Sequence, residues 1–421
     1  MKINVKEISY SEFLKLPGYK YSKPKRRSIL LATVIRVVSG FELLKYKFKV
    51  NKINMDKISK KEPCLILMNH SCFLDLKIAS KILYPKKYNI VCTDDGFVGK
   101  ESLMRHIGCI PTKKFVTDPT LVRDMMYSFK TLKSSVLMYP EAGYSFDGTS
   151  IPLPSNIGKA LKLLKVPVVI ITTHGAYLRD PLYNNLQLRK PIINVDMECV
   201  LTKEDISNLS ENELRDIVLK HFSFDNFKWQ QENKVKVDEP FRADGINRIL
   251  YKCPHCLKES KMEGKGTKII CHACGEEYTL DEYGYLVHKD NASKFTHIPD
   301  WYKWEREEVL KEIKNNHYKV EVDVEIYALK DMKHIYKLGD GHLLHDNNGF
   351  ILKSDDGELE YIQNPLASYT INSDFNWYER GDIISIGDNN ARFYCLVKDK
   401  VDVATKVRFA AEELYKLNGG K

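Results

Sequence analysis

Cys64-Leu65-Ile66-Leu67-Met68-Asn69-His70-Ser71-Cys72-Phe73-Leu74-Asp75 is the stretch on which the reading of this chain turns. Five consecutive apolar residues suffice for one buried strand, and the run stops at a histidine followed, after four intervening residues, by an aspartate. From 76 to 83 the apolar residues take up helical spacing, which puts His70 and Asp75 at a strand-to-helix turn. Imidazole titrates near neutral pH, and a carboxylate beside it can keep one ring nitrogen protonated and aim the other at a hydroxyl. His70 and Asp75 are therefore a candidate general base and its orienting partner. The spacing by itself also suits a capped helix start beside a satisfied histidine, and the segments downstream decide between the two.

Three such segments follow: Gly108-Cys109-Ile110-Pro111-Thr112-Lys113-Lys114, then Tyr139-Pro140-Glu141-Ala142-Gly143-Tyr144-Ser145 behind Val136-Leu137-Met138, then Val166-Pro167-Val168-Val169-Ile170. In this order they resemble the 1-acyl-glycerol-3-phosphate acyltransferase family of the lysophospholipid acyltransferase superfamily. Its blocks are Asn-His-x4-Asp, a Gly-x-Ile block ending in Arg, Phe-Pro-Glu-Gly-Thr-Arg-Ser, and Val-Pro-Ile. The likeness runs over residues 28–235 or so.

The resemblance implies transfer of a fatty acyl group from a thioester donor, acyl-coenzyme A or acyl-carrier protein, to a hydroxyl of a lysophospholipid or related glycerolipid. His70 is then the general base, assisted by Asp75, and Asn69, Gly108, Lys113, Lys114, Glu141, Gly143, Tyr144 and Ser145 bind substrate. The departures bear on the acceptor. Lys114 and Tyr144 stand where the family carries arginines for a phosphate; lysine lacks the planar fork and tyrosine lacks charge, so an acceptor other than lysophosphatidic acid is expected. Ala142 stands for the family's glycine and Gly143 for its threonine. Ser71 and Cys72 adjoin the base, but neighbours on an extended backbone point apart, and direct attack by the acceptor needs no covalent intermediate.

Charge is distributed unevenly. Residues 1–62 hold sixteen Lys and Arg against five Asp and Glu, a net of +11, whereas the whole chain is +9. This basic excess brackets the apolar run 29–38, in which Thr33, Arg36 and Gly40 share one narrow helical face. The run is too short and too charged to span a bilayer, which takes about 20 apolar residues. An interfacial helix among cations that attract anionic headgroups is expected, with a core helix as the alternative. The basic stretch begins too far from the N-terminus for a signal peptide, so the expected location is cytoplasmic, on the inner face of the membrane.

Four of the ten cysteines form a pattern: Cys253-Pro254-His255-Cys256, fourteen residues, then Cys271-His272-Ala273-Cys274. Two such knuckles bring four thiolates onto a structural Zn²⁺, a zinc ribbon, with His255 and His272 outside the ligand set. Charges around the knuckles are mixed, which argues against nucleic acid as a partner. Cys64, Cys72, Cys92, Cys109, Cys199 and Cys395 read as small core residues.

Beyond the ribbon, a charged helical run from 300 to 315 precedes alternating segments at 319–327, 349–353, 382–386 and 392–397, then an amphipathic helix at 403–417. The pattern predicts an antiparallel sheet closed by a helix, similar to pleckstrin-homology-like domains, and a candidate surface for a protein partner. In the catalytic part, strands at 65–69, 88–92, 136–139 and 168–173 alternate with helices at 76–83, 119–133 and 155–164, and an exposed helix is expected over 202–222. The expected organisation is a basic membrane-associating segment (1–62), an α/β acyltransferase domain with a mixed sheet (63–240), a four-cysteine zinc ribbon (241–299) and a β-rich domain ending in a helix (300–421). The competing reading is a catalytically idle scaffold that binds partners through the ribbon and the last domain; retention of His70, Asp75 and Glu141 favours the enzyme.

Overall fold

A computed structural model describes residues 3–114, 118–151, 153–290, 293–399 and 401–420, and every candidate site residue lies among them. The chain begins with β1 (Val5–Glu7), α1 (Tyr10–Lys15) and α2 (Ile29–Leu43). The first α/β layer is built from β2 (Phe48–Ile53), β3 (Leu65–Met68), α3 (Asp75–Ile82), β4 (Tyr88–Thr93), α4 (Glu101–His106), β5 (Cys109–Thr112), α5 (Pro119–Lys130) and β6 (Ser135–Met138). It continues with α6 (Ile157–Leu164), β7 (Val168–His174), β8 (Ile193–Leu201), α7 (Lys203–Asn208), α8 (Glu211–His221) and α9 (Asn226–Glu232).

These strands make one seven-stranded sheet in the order β2-β8-β7-β3-β6-β4-β5. All neighbours are parallel except β7 and β8. β3 lies near the centre, pairing with β6 on one side and β7 on the other, and all four of its residues are buried. A continuous apolar run is what a strand covered on both faces requires. Ile66 and Met68 pack with Leu74 and Ile78 on one face, and Leu65 and Leu67 with Met125, Phe129 and Leu161 on the other. His70 therefore emerges at the C-terminal edge of a central strand.

A second sheet, β12-β11-β10-β9, comprises β9 (Met262–Lys265), β10 (Lys268–Cys271), β11 (Glu277–Leu280) and β12 (Leu286–His288), all antiparallel. After α10 (Ile298–Lys314) come β13 (Lys319–Leu329), β14 (Ile335–Asp346), β15 (Gly349–Ser354), β16 (Glu360–Gln363), β17 (Asn372–Asp374), β18 (Ile383–Gly387), β19 (Arg392–Val397) and the closing α11 (Ala404–Leu417). Their sheet runs β16-β15-β14-β13-β19-β18-β17, and β1 from the far N-terminus joins it, parallel to the first residues of β14. One cluster of buried apolar side chains runs from Phe146 and Tyr177 of the first layer through Tyr251, Ile269 and Trp301 to Phe393 and Phe409. The ribbon and the last sheet thus share a core with the α/β layer.

Several elements differ from expectation for identifiable reasons. The helix expected over 202–222 is two, α7 and α8, because Ser210 and Glu213 close a capping box in its middle. It is also packed rather than exposed, with Ile206, Leu214 and Val218 buried. β2, β5 and β8 are not in the sequence reading. β5 is four residues long with a proline, and its strand identity comes from pairing with β4. β14 contains Gly339-Asp340-Gly341, which reads as a turn. A Cβ on Gly341 would lie 2.2 Å from the Lys353 carbonyl, so the glycine permits the close approach of β15.

Candidate active site

The turn after β3 is built around one carboxylate. Asp75 begins α3 and is fully buried; its Oδ2 accepts the amides of Ser71 at 2.7 Å and Cys72 at 3.0 Å and meets His70 Nδ1 at 3.0 Å. The same oxygen that ties down the turn before the helix therefore also orients the imidazole. Nε2 has no hydrogen-bond partner among the described residues, and the histidine side chain is 22% exposed. Tyr139 and Tyr144 bracket the ring, with centroids at 4.2 and 4.0 Å, and Phe73 lies 5.5 Å from Tyr144. Burial, then the Asp75 charge, pushes both tyrosine hydroxyls well above their ordinary range, so both stay neutral. The imidazole is thus held in a slot between two aromatic faces with one nitrogen left open.

Glu141 lies behind the turn, 1% exposed. Its Oε2 accepts the His70 amide and its Oε1 the Ile151 amide, each at 2.8 Å. Burial pushes its carboxyl up to about 8, against the pull of those two amides. Ser145 donates its amide to the His70 carbonyl at 3.1 Å, and its hydroxyl closes the following loop on Thr149 and Gly148. Asn69 is buried and straps β3 to β7 through Thr173. Within this turn the left-handed position is Ala142, at φ 52°, and not Gly143. Gly143 is the residue with free space around its Cα.

Lys113 and Lys114 follow β5 and face the last sheet. Lys114 Nζ donates to Asn372 Oδ1 of β17 at 2.9 Å and lies 3.9 Å from Asp95. The Lys113 ammonium donates to the Asn389 carbonyl. Arg392 of β19 pairs with Asp94 at 2.9 Å, and although desolvation works against it, Lys114 and Arg392 hold the Asp95 carboxyl below its ordinary value. A cleft of about 780 Å³ opens beside Lys113, walled by Tyr19, Tyr21, Arg123 and Lys330. Gly108 is not brought to this group. It precedes β5 and so sits at the other end of that strand, at φ 89° with its carbonyl accepting from the Ile90 amide and the Asn89 side chain.

Cys72 is buried, its thiol pushed well above the ordinary range by burial and then by Asp75. A thiol in that state is a poor nucleophile. Beside the second sheet, the sulfurs of Cys253, Cys256, Cys271 and Cys274 lie within 4.8 Å of one another, with Cys253–Cys274 and Cys256–Cys271 each at 3.7 Å. His272 points away to Glu263 at 2.8 Å, and His255 is exposed.

Residues 49–174, which carry β3, the His70–Asp75 turn and the Glu141 loop, match the family model described as Acyltransferase. This part of the chain is an acyltransferase domain. Among solved structures, that of the 1-acyl-sn-glycerophosphate (LPA) acyltransferase PlsC from Thermotoga maritima is similar, with 16% identity over 46% of this chain and 76% of that chain, and a TM-score of 0.38. No curated protein matches the chain in sequence.

Proposed function

We propose that this protein is a membrane-surface O-acyltransferase in which His70 is the general base and Asp75 its orienting partner. The observation that carries the proposal is the 3.0 Å contact between His70 Nδ1 and Asp75 Oδ2, with no partner on Nε2 among the described residues. The acceptor hydroxyl gives its proton to Nε2 as its oxygen attacks the thioester carbonyl. On collapse of the tetrahedral adduct the C–S bond breaks, and the imidazolium returns the proton to the departing thiolate. Such proton transfer contributes about 10²- to 10⁴-fold in rate. The buried, protonated thiol of Cys72 supports direct attack over an acyl-enzyme.

The acceptor is a glycerolipid hydroxyl without a phosphate monoester. Lys114 is already engaged by Asn372 and Asp95, Lys113 by the Asn389 carbonyl, and the imidazole face is covered by neutral Tyr144. The donor is a thioester on coenzyme A or acyl-carrier protein. β5 is three strands from β3, roughly 14 Å at the usual spacing, a span that a long carrier arm entering by the cleft beside Lys113 can bridge.

Helix α2 supports membrane docking. No helix among the described residues is long and apolar enough to cross a membrane. Yet Ile29, Leu30, Phe41 and Leu44 are 69–80% exposed, while Ser39 and Glu42 turn toward the protein. An apolar face directed to solvent and flanked by Lys23, Lys25, Arg26, Lys45 and Lys47 fits an anionic headgroup layer on the cytoplasmic side. Cys253, Cys256, Cys271 and Cys274 would hold a structural Zn²⁺. Zn–S bonds of about 2.3 Å in a tetrahedron separate sulfurs by about 3.8 Å, close to the spacing found.

A product assay tests the proposal: purified protein, labelled acyl-coenzyme A or acyl-carrier protein, and a panel of lysophospholipids, monoglycerides and glycolipids, with His70→Ala in parallel. A new acyl lipid that vanishes in the variant is expected. No product from folded, zinc-loaded protein with any donor would move the assignment to a scaffold.

A further inference from the structure

Glu42 faces inward from α2 and is shared by two cations. Its Oε2 meets the Lys77 ammonium of α3, and its Oε1 accepts from Arg179 Nη2 at 2.9 Å. Arg179, in the loop after β7, is 5% exposed and uses each nitrogen on a different partner. Nε donates to the Tyr46 hydroxyl at 2.7 Å, and Nη1 to Asp180 Oδ2 at 2.7 Å. Asp180, 3% exposed, faces the Cys72 thiol, which lies 3.9 Å from Asp75 Oδ1. The other oxygen of Asp75 is the one that meets His70.

The arrangement is uneven around Asp75. Among the described residues Oδ2 has three partners, at His70, Ser71 and Cys72, whereas Oδ1 has the Cys72 thiol alone. Whatever holds that thiol therefore restrains the rotation of the carboxylate. Asp180 brings a second negative charge near Asp75, and Arg179 compensates it. A buried guanidinium or carboxylate stripped of one partner leaves an uncompensated charge that the surroundings move to relieve. A lysine cannot replace this arginine, because an ammonium on a flexible stem does not present three donors in a fixed fork.

Resting on the reading of His70 as the base, we propose that Glu42, Arg179 and Asp180 are positioning residues that clamp α2 onto the catalytic turn and keep Asp75 aligned on His70. The alignment of the dyad then depends on how the solvent-facing helix is seated. Lys77, two residues beyond Asp75, gives the clamp a second grip on α3, the helix that Asp75 begins.

The test compares Glu42→Gln, Asp180→Asn and Arg179→Lys with wild type and His70→Ala, all as full-length, zinc-loaded protein on phosphatidylglycerol-containing vesicles. Circular dichroism checks the fold. Glu42 is partly exposed and its amide keeps the same shape, so that variant keeps a fold even where a change at Arg179 does not. Expected for Glu42→Gln and Asp180→Asn is a kcat about tenfold lower at an unchanged donor KM, as misalignment rather than lost binding dictates. The low-field proton resonance of the His70 Nδ1–H should shift or broaden in both, and Arg179→Lys, which keeps the charge but not the fork, should show the same two changes. Wild-type kcat with an unmoved resonance in both variants would overturn the positioning role. If His70→Ala is inactive at the same time, only the clamp is lost; full activity in His70→Ala removes the base and the clamp together.

Discussion

The backbone amide of His70 donates to Glu141 Oε2 at 2.8 Å, so the base is held from behind by a side chain 71 positions along the chain. The second oxygen of that carboxylate takes the Ile151 amide. In Glu141→Gln one oxygen becomes an NH2 group that confronts an N–H it cannot accept. The expected cost is about 1–3 kcal/mol in unfolding free energy, with a lower kcat. Urea midpoints and turnover on the same preparation check both.

Asp75 combines a structural and a chemical task in one oxygen. Asp75→Asn can keep an amide oxygen on the Ser71 and Cys72 amides and on His70 Nδ1, but it removes the negative charge that stabilises the imidazolium formed as His70 takes a proton. Activity should fall roughly 10²- to 10⁴-fold while the melting temperature changes little, and His70→Ala should match it in rate. Steady-state acyl transfer beside thermal melts decides.

Ala142 sits at φ 52°, where an L-residue carries a conformational cost that glycine does not. Ala142→Gly should therefore be stabilising by about 1 kcal/mol, an unusual sign for that substitution, whereas Gly143→Ala should be nearly neutral because its surroundings are open. Differential scanning calorimetry reads both.

His345 is buried between Phe350, with centroids 3.7 Å apart, and the Tyr318 hydroxyl at 2.8 Å. Burial pushes its pKa down to about 3, so it is neutral in the folded protein. The unfolded chain binds a proton there below about 6.5, so this residue's contribution is complete above that pH and is lost as pH falls toward 3. Stability should decline by up to about 1.4 kcal/mol per pH unit over that window from this group, and His345→Phe should flatten the slope. Denaturant melts at stepped pH test the sign.

The four-cysteine cluster is attached to the rest of the molecule through Lys252, whose amide donates to buried Glu305 at 2.7 Å and whose carbonyl accepts from Trp301 Nε1 at 3.1 Å. Cys253→Ser should lower zinc content from one per chain toward none and loosen α10 as well as the ribbon. Metal analysis with hydrogen exchange over α10 shows whether both go together.

Much of the site is legible in the chain because its key groups are local. Asn69 to Asp75 lie on one strand and one turn, and the two cysteine knuckles declare themselves by spacing. Long apolar or alternating runs such as 65–68, 168–174 and 319–329 carry their strand identity with them. Short or polar strands do not. β5 and β17 are strands because a neighbour supplies the hydrogen bonds. The partners of Lys114 and the clamp on Arg179 join residues 258 and 137 positions apart, a separation no window along the sequence spans.

The strand that ends in His70, the Asp75 carboxylate within reach of it, the four-cysteine pattern and the strands-then-helix character of the C-terminal half are all written in local stretches of the chain. Local hydrogen bonding and periodicity are sufficient for those. The packed fold was needed to place β1 in the last sheet, to engage Lys113 and Lys114 with β17 and the loop before β19, and to turn the apolar side of α2 outward while Glu42 is held within. These follow from which surfaces meet when separate segments pack. Pairing a charge or covering an apolar face takes a partner that no local stretch contains.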